Sequence, residues 1–68
     1  MQICQRLKEL RKEKGFSQTV VANALGVVYQ QYARYENGER EIPLHHAVTL
    51  AQFYGVSLDY LAGLSVVR

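Results

Sequence analysis

Apolar positions recur along the chain with a helical step almost from end to end. Ile3, Leu7, Leu10 and the stem of Lys14 fall at i, i+4, i+7 and i+11, one stripe of a helix predicted over residues 2–14. Gly15 follows where a left-handed residue would end that helix, and Phe16 returns the chain to the core. Ser17 is a good N-cap for a second helix over 18–25, with Val21, Ala22 and Leu25 on its inner face. The N3 position is Val20, so the reciprocal capping box is missing. Gly26 closes the helix, and Val27 is placed to plug the core within the turn.

A third helix is predicted over 28–36. Stepping about 100° per residue puts Val28, Tyr32 and Tyr35 on one side and Gln30, Arg34 and Asn37 nearly opposite. Tyr29 and Ala33 flank the outer face on one side and Gln31 on the other. Asn37-Gly38 ends the helix with two residues that tolerate positive φ, and a short loop follows over 39–42. Pro43 opens a fourth helix, where its missing N–H costs nothing. That helix runs over 43–54 with Leu44, Ala47, Val48, Ala51 and Tyr54 inward, leaving Leu50 and Phe53 off the stripe. After Gly55 and Val56, Ser57 caps a short fifth helix over 58–62, with Asp59 favourably placed in its first turn. Gly63 ends it, and an apolar tail, LSVVR, closes the chain. The expectation is an all-α, five-helix single domain over residues 1–68, with no repeat, linker or convincing strand.

Composition narrows the class. A chain of 68 residues, 49% of them apolar, makes one modest core and is too hydrophobic for a disordered polymer. No apolar run approaches the roughly 18 residues of a membrane span. The N-terminus MQICQRLKELRKEKG is charged at helical spacing and lacks the apolar block of a signal peptide, so a cytoplasmic protein without a membrane partner is expected. Cys4 is the only cysteine, which excludes an internal disulfide; it reads as a small buried hydrophobe beside the first stripe. The net charge of +2 says little, but its distribution says more. Arg6, Lys8, Arg11, Lys12 and Lys14 against Glu9 and Glu13 give residues 1–14 a local +3, a face suited to phosphate.

The outer face of the third helix carries the candidate chemistry. Glutamine offers a donor and an acceptor that pair with adenine, arginine offers a fork matching guanine, and a short apolar group can touch a thymine methyl. Gln30 and Arg34 are the expected base readers, with Tyr29, Gln31 and Ala33 as neighbours. On amphipathicity alone, an ordinary solvated face is the better reading. His45 and His46 diverge by about 100° on a helix and have no cysteine or carboxylate cluster beside them, so no metal is expected. No phosphate-cradling glycine loop, paired carboxylates or spare pocket volume points to catalysis, and neither an enzyme nor a cofactor is expected.

Taken together, RLKELRKEKGFSQ, VANALGV, YARYENGER and AVTLAQFYGVSLDYLAG, in this order and spacing over residues 3–63, resemble the Cro/repressor (XRE-type) helix-turn-helix family. The resemblance implies a compact lambda-repressor-like domain with the helix-turn-helix at helices 2 and 3. It implies sequence-specific binding of double-stranded DNA through the major groove, as a repressor occupying a palindromic operator. Antitoxins and restriction-modification controllers share the pattern, as do interaction modules that have lost DNA binding. It assigns base contacts to Tyr29, Gln30 and Arg34, with Gln31 at a variable position, and phosphate contacts to Gln18, Asn37 and Arg40, with Gln18 also buttressing the recognition helix. Arg11 and Glu36 match an ion pair tying helix 1 to helix 3, and each lies beside its own helix's apolar stripe. The chain departs from the pattern at Val28, where Ser or Thr usually caps helix 3, and at Tyr32, where a smaller aliphatic is usual. Glu39 and Glu41 put negative charge in a loop that often carries basic residues. One domain reads few bases, so a symmetric homodimer is expected, with Leu50, Phe53, Tyr60, Leu64, Val66 and Val67 as spare apolar residues for its interface. No small-molecule effector is expected within the chain.

Overall fold

A computed structural model describes residues 2–68, Gln2 by its backbone alone. Five helices follow in order: α1 (Gln2–Lys14), α2 (Gln18–Leu25), α3 (Tyr29–Glu36), α4 (Leu44–Tyr54) and α5 (Leu58–Leu61), with no strand among the described residues. None is long and apolar enough to cross a membrane.

The helices share one way of stopping. At Gly26 the backbone turns left-handed, φ +73°. The Val27 N–H then reaches the Ala22 carbonyl at 3.1 Å and the Gly26 N–H the Asn23 carbonyl at 3.1 Å, the paired bonds of a Schellman motif. The same two bonds close α1 at Gly15 and Phe16, and α4 at Gly55 and Val56. Phe16, Val27 and Val56 all pack against the core, so each stop is also an anchor. α3 closes with the same pair, the Glu39 N–H to the Arg34 carbonyl at 2.9 Å and the Gly38 N–H to the Tyr35 carbonyl at 3.3 Å, but Glu39 is exposed, so this stop is not an anchor. Asn37 keeps a right-handed φ of −84°, and the positive φ of +77° falls to Gly38 alone.

The starts divide into two kinds. Ser17 Oγ accepts from the Val20 N–H at 3.2 Å, and Ser57 Oγ from the Tyr60 N–H at 3.0 Å. Val28 and Pro43 occupy the corresponding N-cap positions of α3 and α4 and supply no side-chain bond. Both have extended backbones, ψ 155° and 150°, so α3 begins at Tyr29 and α4 at Leu44, one residue later than expected. Ala62 is the C-cap of α5, which ends at Leu61.

All five helices feed one core, built from Leu7, Leu10, Val21, Ala22, Tyr32, Tyr35, Leu50, Ala51, Tyr54, Tyr60 and Leu61. Several assignments change. Val28 is 64% exposed, because as an N-cap it does not follow the helical wheel of α3. Leu44, at 69% exposed, and Val48 face outward, whereas Leu50 is 0% exposed. The buried positions of α4 are Ala47, Leu50, Ala51 and Tyr54, an i, i+3, i+4, i+7 face turned about half a residue step from the expected one. Leu50 and Tyr60 thus fill the core of the single chain and are not spare interface residues. The Tyr60 ring also lies beside two guanidinium groups, Arg6 at 4.1 Å and Arg68 at 5.4 Å from its centroid. Arg68 grips Glu13 of α1 through two bonds of 2.6 and 2.7 Å, bringing the tail back over α1 while Leu64, Val66 and Val67 remain exposed. Lys14 is exposed and does not extend the α1 stripe.

Candidate nucleic-acid interface

The site is built from behind. Glu36 is 3% exposed, on the inner face of α3, where an unpaired carboxylate would be costly. Arg11 of α1 meets it with a two-pronged grip, Nε to Oε2 at 2.9 Å and Nη2 to Oε1 at 2.8 Å. The third arm of the guanidinium, Nη1, donates to the Phe16 carbonyl at 3.1 Å, in the turn before α2. Gln18, the first residue of α2, donates from Nε2 to Glu36 Oε1 at 3.3 Å. One carboxylate therefore fixes α1, α2 and α3 relative to one another. Burial alone would push the Glu36 carboxyl up, but the bonds and charge of Arg11, with the bond from Gln18, outweigh it and hold it below its ordinary value. Arg11 is shifted up, chiefly by its bond to Glu36, so both partners stay charged.

Two tyrosines close the apolar side of this network. Burial, and secondarily the Glu36 charge, push the Tyr32 phenol well above its usual range and that of Tyr54 up to about 12. Both rings stay neutral, and neither hydroxyl has a protein hydrogen-bond partner among the described residues. The core has made room for the large Tyr32 ring, which is fully buried.

On the opposite face Gln30 and Arg34 are exposed, and neither side chain has a hydrogen-bond or ion-pair partner among the described residues. Tyr29 is 49% exposed at the first turn, and Ala33 is half-buried. Gln31 sits apart from these. It is half-buried and donates from Nε2 to the Tyr35 hydroxyl at 2.8 Å, an i, i+4 pair on the flank of α3. The Tyr35 ring in turn packs on His46 with centroids 6.0 Å apart, joining this flank to α4. His46 is half-buried while His45 is exposed; burial, then the neighbouring His45, lower the His46 pKa. Asn37 and Arg40 are exposed just beyond α3, and Asn37 Nδ2 reaches Glu39 Oε2 at 3.5 Å.

Sequence spacing alone did not reveal the Gln18–Glu36 or Arg11–Phe16 bonds, because both depend on how the helices cross. The Gln31–Tyr35 pair was legible in principle from its i, i+4 spacing. Among the described residues no group of three or more His, Cys, Asp or Glu side chains could hold a metal. A surface hollow of about 240 Å³ between Ile3, Glu41, Ile42 and Ala62 is smaller than the usual cleft for an organic ligand.

The helix-turn-helix family profile matches residues 7–61. The chain is 39% identical to an uncharacterised helix-turn-helix-type transcriptional regulator, YobD of Bacillus subtilis, over 91% of its own length and 55% of that protein's. It is 38% identical to the cryptic phage CTXphi transcriptional repressor RstR of Vibrio cholerae, over 82% of this chain and 50% of the repressor. In three dimensions it is similar to a transcriptional regulator from Listeria innocua, with a TM-score of 0.87 and 31% identity, covering 91% of this chain and 58% of that one. The chain spans about half the length of the curated relatives it matches.

Proposed function

The chain belongs to the Cro/repressor (XRE-type) helix-turn-helix family of DNA-binding transcriptional regulators, and from that membership we propose that it is a repressor that occupies a palindromic operator as a homodimer. Residues 1–68 act in this reading as one DNA-binding unit. The observation that carries it is the outer face of α3, where Gln30 and Arg34 have no side-chain partner among the described residues, on a helix anchored from behind through Glu36. Such a helix can enter the major groove with its side chains at fixed positions, Gln30 for adenine and Arg34 for guanine. Tyr29, Gln31 and Ala33 complete the surface facing the bases, while Gln18, Asn37 and Arg40 contact the flanking phosphates. That the phage relative RstR is a transcriptional repressor favours repression over activation.

Dimerisation follows from size. The eight residues of α3 span about 12 Å, roughly the rise of four base pairs, too few for a unique address in a genome. Two copies on half-sites about 34 Å apart would double the reading. Phe53, Leu64, Val66 and Val67 are exposed and supply apolar surface for the contact, whereas Leu50 and Tyr60 are already used.

Selection of bound sequences from random duplex DNA, followed by titration at two salt concentrations, tests the reading. The expected result is a two-fold symmetric consensus, bound with a salt slope shallower than that of more basic domains, because Glu39 and Glu41 oppose phosphate. Binding without sequence preference at low salt would overturn it and leave a protein-interaction module.

A further inference from the structure

The N-cap position explains why Val28 is exposed, but neither the core nor the cap uses its side chain. Its side chain is apolar, 64% exposed, and stands at the N-cap of α3, where it makes no hydrogen bond. The other N-caps that hold serine, Ser17 and Ser57, each bind a backbone N–H of their helix. A valine here gives up a capping hydrogen bond and offers its methyl groups to the solvent. Helices that read DNA in this way contact base edges with their N-terminal residues, and the one apolar feature in the major groove is the 5-methyl group of thymine. Tyr29 and Gln30 follow directly and are exposed too, so Val28 belongs to the surface that would approach the bases.

We propose that Val28 is a specificity-determining residue that recognises a thymine methyl group at one position of each half-site. The proposal rests on the reading of α3 as the recognition helix. Val28 thereby exchanges a helix cap for an apolar contact that exists only when DNA is bound.

The test uses the full chain and the consensus duplex found by selection. Each thymine in turn is replaced by deoxyuridine, which removes the methyl and nothing else. Removing one buried methyl corresponds to about a fourfold loss of affinity, from roughly 0.8 kcal/mol per apolar carbon. One position per half-site should show this loss with the wild type, and 5-methylcytosine or other methylated bases elsewhere should not substitute for it. Val28→Ser should melt at a higher temperature, because its hydroxyl restores the cap, and should bind the thymine and uracil duplexes equally. Val28→Ala, which keeps one methyl and adds no cap, should discriminate them less than the wild type does. If Val28→Ser is stabilised yet discriminates the two duplexes as the wild type does, or if no thymine is sensitive in the wild type, the methyl contact is wrong while the operator reading stands. Failure of selection to yield any consensus overturns both.

Discussion

The two faces of α3 are treated in opposite ways. On the inner face Tyr32, Tyr35 and Glu36 are buried, and Glu36 receives three hydrogen bonds from α1 and α2. On the outer face Gln30 and Arg34 are exposed, with no protein partner among the described residues. A buried polar group without partners is expensive, whereas an exposed one is satisfied by water at little cost. The inner face therefore closes its hydrogen bonds within the protein, and the outer one leaves its donors and acceptors available for exchange with base edges. The difference has a geometric consequence as well. Reading a base edge demands fixed side-chain origins, and those of Gln30 and Arg34 are fixed by what Glu36 holds behind them.

The strongest way to break this comparison is to remove its anchor. Glu36→Ala leaves the Arg11 guanidinium without its carboxylate, and loss of one member of a buried pair costs about 3–5 kcal/mol. Urea unfolding at neutral pH should show this loss, a large share of what so small a domain has. The same carboxylate predicts an acid dependence. Its folded pKa lies below its unfolded value of about 4.3, so its contribution is complete above that value and is lost as pH falls through the folded one. Below about pH 5 wild-type stability should decline as this carboxylate is protonated, and the decline there should be shallower in Glu36→Ala. An equal stability for both proteins at neutral pH would mean that the network positions nothing.

A substitution two positions earlier on the same helix should do the reverse. Arg34→Ala removes an exposed side chain, so its unfolding free energy should stay within about 0.5 kcal/mol of wild type. Its DNA affinity should fall by about 1–3 kcal/mol and its selectivity should relax at one base pair. Competition binding against single-base variants of the selected site measures both. A uniform loss across all variants would instead place Arg34 on a phosphate.

The comparison also marks what could be read from the residues beforehand. Helix order, the glycine stops and the inner positions Tyr32 and Tyr35 follow from periodicity, because α3 has one apolar side and one polar side. The segment LHHAVTLAQFY of α4 carries apolar residues almost all round, so a helical wheel cannot say which of Val48 and Leu50 is inside. The packing of α4 against α2 and α5 decides it, and Leu50 goes in. Val28 escaped for another reason: it precedes the helix, and the 100° step does not apply to an extended residue. The Arg11–Glu36 pair was approachable from the residues, since each borders an apolar stripe. The resemblance already implies that Gln18 buttresses α3, but its bond to Glu36 and the part played by Phe16 required the crossing of three helices.

Gln18 is the residue that belongs to both faces, and it sharpens the distinction most finely. Its Nε2 donates inward to Glu36 at 3.3 Å, a long bond from a half-buried residue at the first position of α2. Gln18→Ala keeps the Arg11 grip on Glu36 intact, so the stability loss should be at most about 1 kcal/mol. In the proposed complex the same amide contacts a phosphate, which carries no sequence information. Affinity should therefore weaken by a similar factor for the consensus and for its single-base variants, leaving their ratios unchanged. If the ratios change instead, the Gln18 bond orients α3 for base reading, and the inner network reaches into specificity as well as into stability.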